Sequence, residues 1–478
     1  MLFNSLEFGI FLPLVFALYW IIPKEKTKLR TLLLLLASYF FYGWWDPRFL
    51  GLIFVSSLVD FWIGTALDRE TKLSRRKLLL YTSLITNLGI LLIFKYFNFF
   101  VENFTTAFTY IGVPIQNSWS LNLVLPVGIS FYTFQTLGYT IDVYKKKVSA
   151  CRDPLTFFAY VSFFPQLVAG PIERATSLLP QFATQKTFDS AQGSDGLRLI
   201  LWGLFKKVVI ADGCAEYVNQ VFAAYEIYQP HTLFLAAVLF AIQIYGDFSG
   251  YSDVAIGIAR LFGFSLMRNF AFPYFSRDIA EFWKRWHISL TTWLRDYLYI
   301  PLGGGFTSNW LKVKNVLIVF MVSGIWHGAN WTFVVFGLLH GMMYLPILFK
   351  LQHRSHGTIG ERIDRILVTD LVKMVFNFAF VCFTFIFFRS ESLTDALAYL
   401  HGMLSWKILA IPTASQAKLL TLIALMMGVE WLQRFKRHGL DLSGMRIPKP
   451  LRWTIYASLL LLLILFGREP QDFLYFQF

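Results

Sequence analysis

The sequence predicts an all-α polytopic membrane protein, on three observations. Hydrophobic residues make up 56% of the 478 residues and charged residues only 15%, where a soluble domain carries about a quarter. Mean hydropathy is +0.54. Apolar runs approaching the roughly 20 residues that a helix needs to cross a bilayer recur along the whole chain. Disorder, collagen and coiled coil need low hydrophobicity or a strict short repeat, and neither is present. Cys151, Cys214 and Cys382 are too few and too widely spaced for a disulfide framework. The net charge of +14 would suggest nucleic acid in a soluble chain. Here the basic residues lie in short clusters between apolar runs, the positive-inside pattern, so no nucleic-acid partner is expected.

The first span is 6–22. No basic stretch precedes it and no small-residue cleavage site follows, so it reads as a retained span rather than a signal peptide. Further spans are expected at 31–45, 48–66, 78–98, 232–247, 313–327, 331–349, 370–388, 417–432 and 453–467. Segments 121–144, 155–172, 197–211 and 250–300 mix apolar faces with Gly, Pro and charge. They read as broken, tilted or re-entrant helices, tolerated in a membrane only where protein shields them or they line a cavity. Ten to thirteen membrane segments result, with no internal repeat, in one integral-membrane domain over 1–478.

Charge sets the orientation. Lys24–Arg30, Arg69–Lys77 and Lys145–Arg152 are basic, whereas 44–48 and 99–120 are poor in basic residues. Alternation places the basic loops in the cytoplasm and the N-terminus outside. Lys312, Lys314, Lys350 and Arg354 make 315–349 a hairpin with cytoplasmic ends, and the C-terminus falls outside.

Two polar stretches stand out. In Arg277–Gly305, Trp283, Trp286 and Trp293 alternate with Lys284, Arg285 and Arg295. One reading is an amphipathic helix at the cytoplasmic surface, its charges on lipid phosphates. The other is a functional segment. The second stretch, Ser323-Gly324-Ile325-Trp326-His327-Gly328-Ala329-Asn330-Trp331-Thr332, lies at the tip of the hairpin. Asn315 to His327 spans about 18 Å of helix, so His327 should lie within the membrane, where an ionisable residue is a functional candidate. Gly324, Gly328 and Ala329 would allow close approach, and Ser323, Trp326, Asn330 and Thr332 surround the position. A histidine simply hydrogen-bonded between helices is the alternative. His340 reads as a packing residue. His231, His353, His356, His401 and His438 fall in loops or near surfaces. No zinc spacing and no serine-hydrolase elbow occurs, so no metal is expected. Asp60 and Glu430 are spanning-segment carboxylates without a matched pair.

The terminal Phe473-Leu474-Tyr475-Phe476-Gln477-Phe478 has two readings. It is an aromatic anchor at the interface, or a compact apolar plug that folds back into the protein and brings the Tyr475 hydroxyl near His327, where a base could activate it.

Four motifs resemble the membrane-bound O-acyltransferase superfamily, and within it the bacterial alginate O-acetyltransferase group. They are Phe164–Ile172 (FPQLVAGPI), Gln243–Asp253 (containing DFSGYSD), Glu281–Gly304 around His287, and Ile325–Trp331 around His327. The resemblance implies helices enclosing a funnel, acyl transfer to hydroxyl groups, His327 as the catalytic histidine and His287 as the second signature position. It implies no bound cofactor. The donor would be a thioester such as acetyl-CoA or an acyl carrier protein. The acceptor would be an extracytoplasmic polysaccharide such as alginate, reached in some systems through partner acetyltransferase proteins. Location in a bacterial inner membrane, in contact with membrane lipids, follows. Candidate funnel residues are Asn330, Trp326, Ser323, Trp283, Lys284, Arg285 and Tyr475. D-alanyl transfer to another envelope polymer, a transporter, and a non-catalytic export scaffold are the alternatives.

Overall fold

The computed structural model describes residues 1–113, 120–121, 123–305, 307–350, 367–405, 414–467 and 473–474. Among them, six helices are long and apolar enough to cross a membrane: Arg48–Arg69, Leu73–Tyr110, Pro230–Leu261, Trp331–Phe349, Val368–Arg389 and Lys449–Phe466. Leu6–Ile21 is a shorter apolar helix. Thr27–Gly43, Asn309–His327 and Ala414–Leu432 coincide with three further expected spans.

Two expectations change. Residues 250–261 do not begin a broken segment; they continue one 32-residue helix, Pro230–Leu261. Nor does 277–300 form a surface amphipathic helix. It folds into two short helices, Ile279–Arg285 and Ile288–Leu294, and Trp283, Trp286, Trp293 and Arg285 are all buried. The reason is internal pairing: Arg285 Nη2 donates to Glu281 Oε1 at 2.9 Å and Trp293 Nε1 to the Phe134 carbonyl at 2.8 Å. Once its polar atoms are satisfied inside the protein, an indole gains more by burial than at an interface.

The long helix Pro230–Leu261 is the backbone of the packing. The helix Ser190–Leu204 runs antiparallel against it at van der Waals range. A Cβ on Gly203 would lie 2.5 Å from the Gly250 carbonyl oxygen, and one on Gly196 would lie 2.7 Å from that of Gly257. Each helix thus carries two glycines seven residues apart, and the two pairs face each other. Small residues that let backbones touch replace the missing hydrophobic drive between helices in lipid.

The basic loops meet at one end of the bundle. Arg30 donates to the carbonyls of Ile22 and Lys186 at 2.6 and 2.7 Å, Arg76 to that of Tyr144 at 2.7 Å, and Trp20 Nε1 to that of Leu261 at 3.1 Å. Asp195 is bound there by Arg260, Arg437 and His438. With Asp441 this set has the spacing of metal ligands, but its carboxylates are already neutralised by arginines, so an ion-pair network is what the chemistry supports.

Among the described residues, π-helical turns occur at Leu92–Tyr96, Phe205–Ala211 and Arg295–Tyr299. Each carries charged residues: Lys95; Lys206 and Lys207; Arg295 and Asp296. Such turns are rare and occur often at functional sites.

The glycine contact is testable. Gly250→Val should cost at least about 1–3 kcal/mol through overpacking, seen as a lowered thermal transition of the detergent-solubilised protein. Gly51→Ala has nothing within 4 Å of the new Cβ and should be neutral, or stabilising by up to about 1 kcal/mol.

Candidate active site

The site is built on the hairpin of Asn309–His327 and Trp331–Lys350. Both helices are apolar, and two glycines bring them together: a Cβ on Gly324 would lie 2.1 Å from the Phe333 carbonyl oxygen, and one on Gly337 2.2 Å from that of Phe320. The first helix ends at His327 because Gly328 is extended, with φ −169° and ψ 160°. Its missing side chain is required, since a Cβ would meet the Phe333 ring at 2.1 Å. Asn330 then caps the second helix, its Oδ1 accepting from the Thr332 N–H at 3.0 Å. Its Nδ2 donates to the Glu391 carbonyl at 2.7 Å, tying the tip to the end of Val368–Arg389.

His327 is 3% exposed and His287 is fully buried. The tertiary structure brings them to one indole. The Trp326 ring centroid lies 5.6 Å from that of His287 and 5.0 Å from that of His327. Phe388 packs on His327 at 5.2 Å, and Phe248 edge-on to His287 at 4.6 Å. His287 occupies the hinge between the two short helices with left-handed dihedrals, φ 43° and ψ 54°, an uncommon conformation for a residue with a Cβ. The hinge is held by Asn269, whose carbonyl accepts from Ile288 N and whose Oδ1 accepts from Ser289 N and Oγ.

A narrow cleft of about 30 Å³ runs between Lys95, Phe131, Trp326 and His327. Beside it lies a chamber of about 460 Å³, walled by Lys95, Gly328–Asn330, Phe333, Phe388 and Arg389 and rimmed by Glu391. A buried imidazole therefore sits next to a cavity of ligand size.

The remaining sequence-predicted residues divide. Ser323 is buried one turn before His327. Trp283 Nε1 donates to His340 Nδ1 at 3.3 Å, and His340 Nε2 meets Thr384 Oγ1 at 3.0 Å, which supports a packing role for His340. Arg285 is held by Glu281 and the Ala271 carbonyl, and Lys284 is on the surface. None of Ser323, Trp283, Lys284 and Arg285 lines the cleft or the chamber. Tyr475 lies outside the described residues, but the tail before it is placed. Phe473 is fully buried against Tyr251 (4.6 Å) and Phe248 (5.9 Å), and the Leu474 N–H donates to Asp247 Oδ2 at 2.8 Å. These two residues are in the protein interior rather than anchored in the interface.

Sequence reasoning missed Lys95, Tyr96, Phe131, Phe248 and Asn269. Lys95 did carry a signal, being the lone charge inside the apolar run 78–98. Asn269 carried none, since its role is to hold a hinge 18 residues further on.

Residues 147–390 match the profile of the membrane-bound O-acyltransferase family. The chain is 36% identical over its full length to the full length of a Pseudomonas putida protein named "Probable alginate O-acetylase AlgI". It is 38% identical to the Azotobacter vinelandii protein of the same name, covering 88% of this chain and 82% of the relative. A peptidoglycan O-acetyltransferase of Helicobacter pylori is 34% identical, covering 84% of this chain and 80% of that one.

The turn after His327 gives a steric prediction. Gly328→Ala should destabilise by about 1–3 kcal/mol. Phe333→Ala removes the ring that a new Cβ would strike, so the double variant should be more stable than the two single losses add up to. A thermal-unfolding double-mutant cycle with zero coupling would contradict this contact.

Proposed function

The chain belongs to the membrane-bound O-acyltransferase family, and on that premise we propose that it moves acetyl from a cytoplasmic thioester donor towards hydroxyl groups of an exported polysaccharide such as alginate, with His327 as general base. The protein is a multi-pass membrane acyltransferase, and its acyl donor is a substrate rather than a bound cofactor. The observation that carries the reading is the buried His327 imidazole at a helix end, enclosed by Trp326 and Phe388 and adjoining the chamber.

The chemistry follows from that placement. A hydroxyl is a weak nucleophile until a base takes its proton, and an imidazole, with an unperturbed pKa of about 6.5, suits this at neutral pH. His327 takes the hydroxyl proton as the oxygen attacks the thioester carbonyl. The carbon–sulfur bond then breaks, and the imidazolium returns the proton to the thiolate. The aromatic walls keep water from competing for the acyl group. General base catalysis of this kind contributes about 10²–10⁴-fold. His287, against the same indole of Trp326, orients the donor or holds the site together.

In this reading the basic end faces the cytoplasm of a bacterial inner membrane, where acetyl-CoA or an acyl carrier thioester arrives. The chamber end faces outward, where the acceptor or a partner acetyltransferase takes the acetyl group. The Helicobacter pylori relative supports a second acceptor class, the hydroxyl groups of peptidoglycan. Measuring ester-linked acetate on each polymer in a deletion strain separates the two.

His327→Ala should abolish transfer of labelled acetyl while leaving membrane insertion and thermal stability near wild type, and His287→Ala should give a smaller loss. Wild-type turnover in a folded His327→Ala protein would sink the assignment. For orientation, with Cys151, Cys214 and Cys382 replaced, cysteines at Lys26 and Lys72 should be shielded from an impermeant outside thiol reagent and one at Glu391 labelled. The reverse pattern would exchange the donor and acceptor sides.

A further inference from the structure

The helix Asn309–His327 ends inside the protein, and the last four carbonyls of any α-helix have no partner within it. Here three of them are met by side chains from a single neighbouring turn. Tyr96 Oη donates to the Ile325 carbonyl at 2.8 Å. Lys95 Nζ donates to the Trp326 carbonyl at 2.8 Å and to the His327 carbonyl at 2.9 Å. We propose that Lys95 and Tyr96 are positioning residues, a two-residue clamp that sets where the His327 imidazole stands between the cleft and the chamber. This inference rests on the general-base reading of His327.

The local structure explains how adjacent residues can share this task. Successive residues of an α-helix point about 100° apart, so neighbours do not normally face the same partner. Lys95 and Tyr96 end the π-helical turn Leu92–Tyr96. Its wider turn lessens the angle between neighbours and lets both reach one helix end. The helix continues as Phe97–Tyr110, which adds a further tie, Trp331 Nε1 to Asn103 Oδ1 at 2.8 Å. The arm from 92 to 110 therefore grips both sides of the hairpin tip.

The choice of lysine matters. A charge inside an apolar span is costly and is retained where it has a task. An ammonium at a helix C-terminus meets the negative end of the helix dipole as well as the orphan carbonyls. Lys95 also walls both the cleft that His327 lines and the chamber beside it. A clamp at this point controls a distance on which the chemistry depends, since a misplacement of about 1 Å can cost roughly 10²-fold in rate.

The test uses the full-length protein in detergent with acetyl-CoA carrying labelled acetyl and an alginate oligosaccharide acceptor, and hydrogen exchange on the same samples. Lys95→Met should lower kcat about 10–100-fold, the loss expected of a displaced catalytic group, with KM for acetyl-CoA within about twofold. Lys95→Arg, which keeps the charge and the donors, should recover a substantial part of kcat. Tyr96→Phe, a milder change that leaves the ring packed, should give an intermediate loss. In Lys95→Met and Tyr96→Phe the amides of 323–332 should exchange several-fold faster, while those of 312–320 stay unchanged. Unchanged exchange at 323–332 in Tyr96→Phe and in any folded Lys95→Met overturns the clamp whatever the activity. Faster exchange with wild-type kcat overturns its positioning role, as does a loss confined to KM. If the wild type itself transfers nothing from acetyl-CoA, it is the donor assignment that fails, and the exchange arm alone decides the clamp.

Discussion

In an apolar surround every polar group must find its partner within the protein, and this structure is organised by the groups for which that is hardest. Asp60 is fully buried between helices, and Asn87 Nδ2 (2.8 Å), Thr140 Oγ1 (3.1 Å) and Ser83 Oγ converge on it from two neighbouring helices. Lys207 is paired with both Asp212 and Asp247 at 2.7 Å, and Lys206 with Asp253 at 2.7 Å and Ser249 at 2.9 Å. Breaking such a buried set by removing one partner leaves an uncompensated charge, so each set locks the helices that supply it.

The same constraint shapes the site. A helix that stops halfway through a protein leaves carbonyls to be satisfied, and Asn309–His327 stops at the proposed general base. Gly328 allows the abrupt exit, Asn330 starts the return helix, and Lys95 and Tyr96 reach the stranded carbonyls. His287, which packs on the same Trp326, is placed by a different device, a left-handed hinge stapled by Asn269. Two histidines 40 positions apart in the chain thus meet at one indole, and backbone contacts fix the segment that carries each of them.

The DFSGYSD segment acquires a physical role in this arrangement. Asp247 joins Lys207 to the backbone of Leu474, while Phe248 lies between His287 and Phe473. Phe473 is therefore packed one aromatic ring away from the second histidine. The burial of Phe473 and Leu474 ties this segment to the wall of the candidate site, and the Lys207–Asp247 ion pair keeps the docking carboxylate in place.

The sequence by itself determined the class of fold, because composition and apolar run length report the solvent a chain is built for. Nearly every expected span coincides with a helix, and the hairpin tip at His327 is where the hydrophobic pattern put it. The family motifs also marked both histidines. Local pattern could not decide which polar residues turn inward. Trp283, Trp286 and Trp293 alternate with charges in a way that reads as a membrane surface, yet all three are buried: His340 and the Phe134 carbonyl accept from Trp283 and Trp293, and Glu281 neutralises Arg285 between them. The run 232–261 looked interrupted because it contains Asp247, Gly250 and Asp253, but lysines and glycines from other helices make that polar stretch the best-packed part of a continuous helix. Only the tertiary structure decided that Lys95, 232 residues before His327, is the group holding its carbonyl. Contacts of that range depend on how helices are arranged in space, and no periodicity along the chain encodes them.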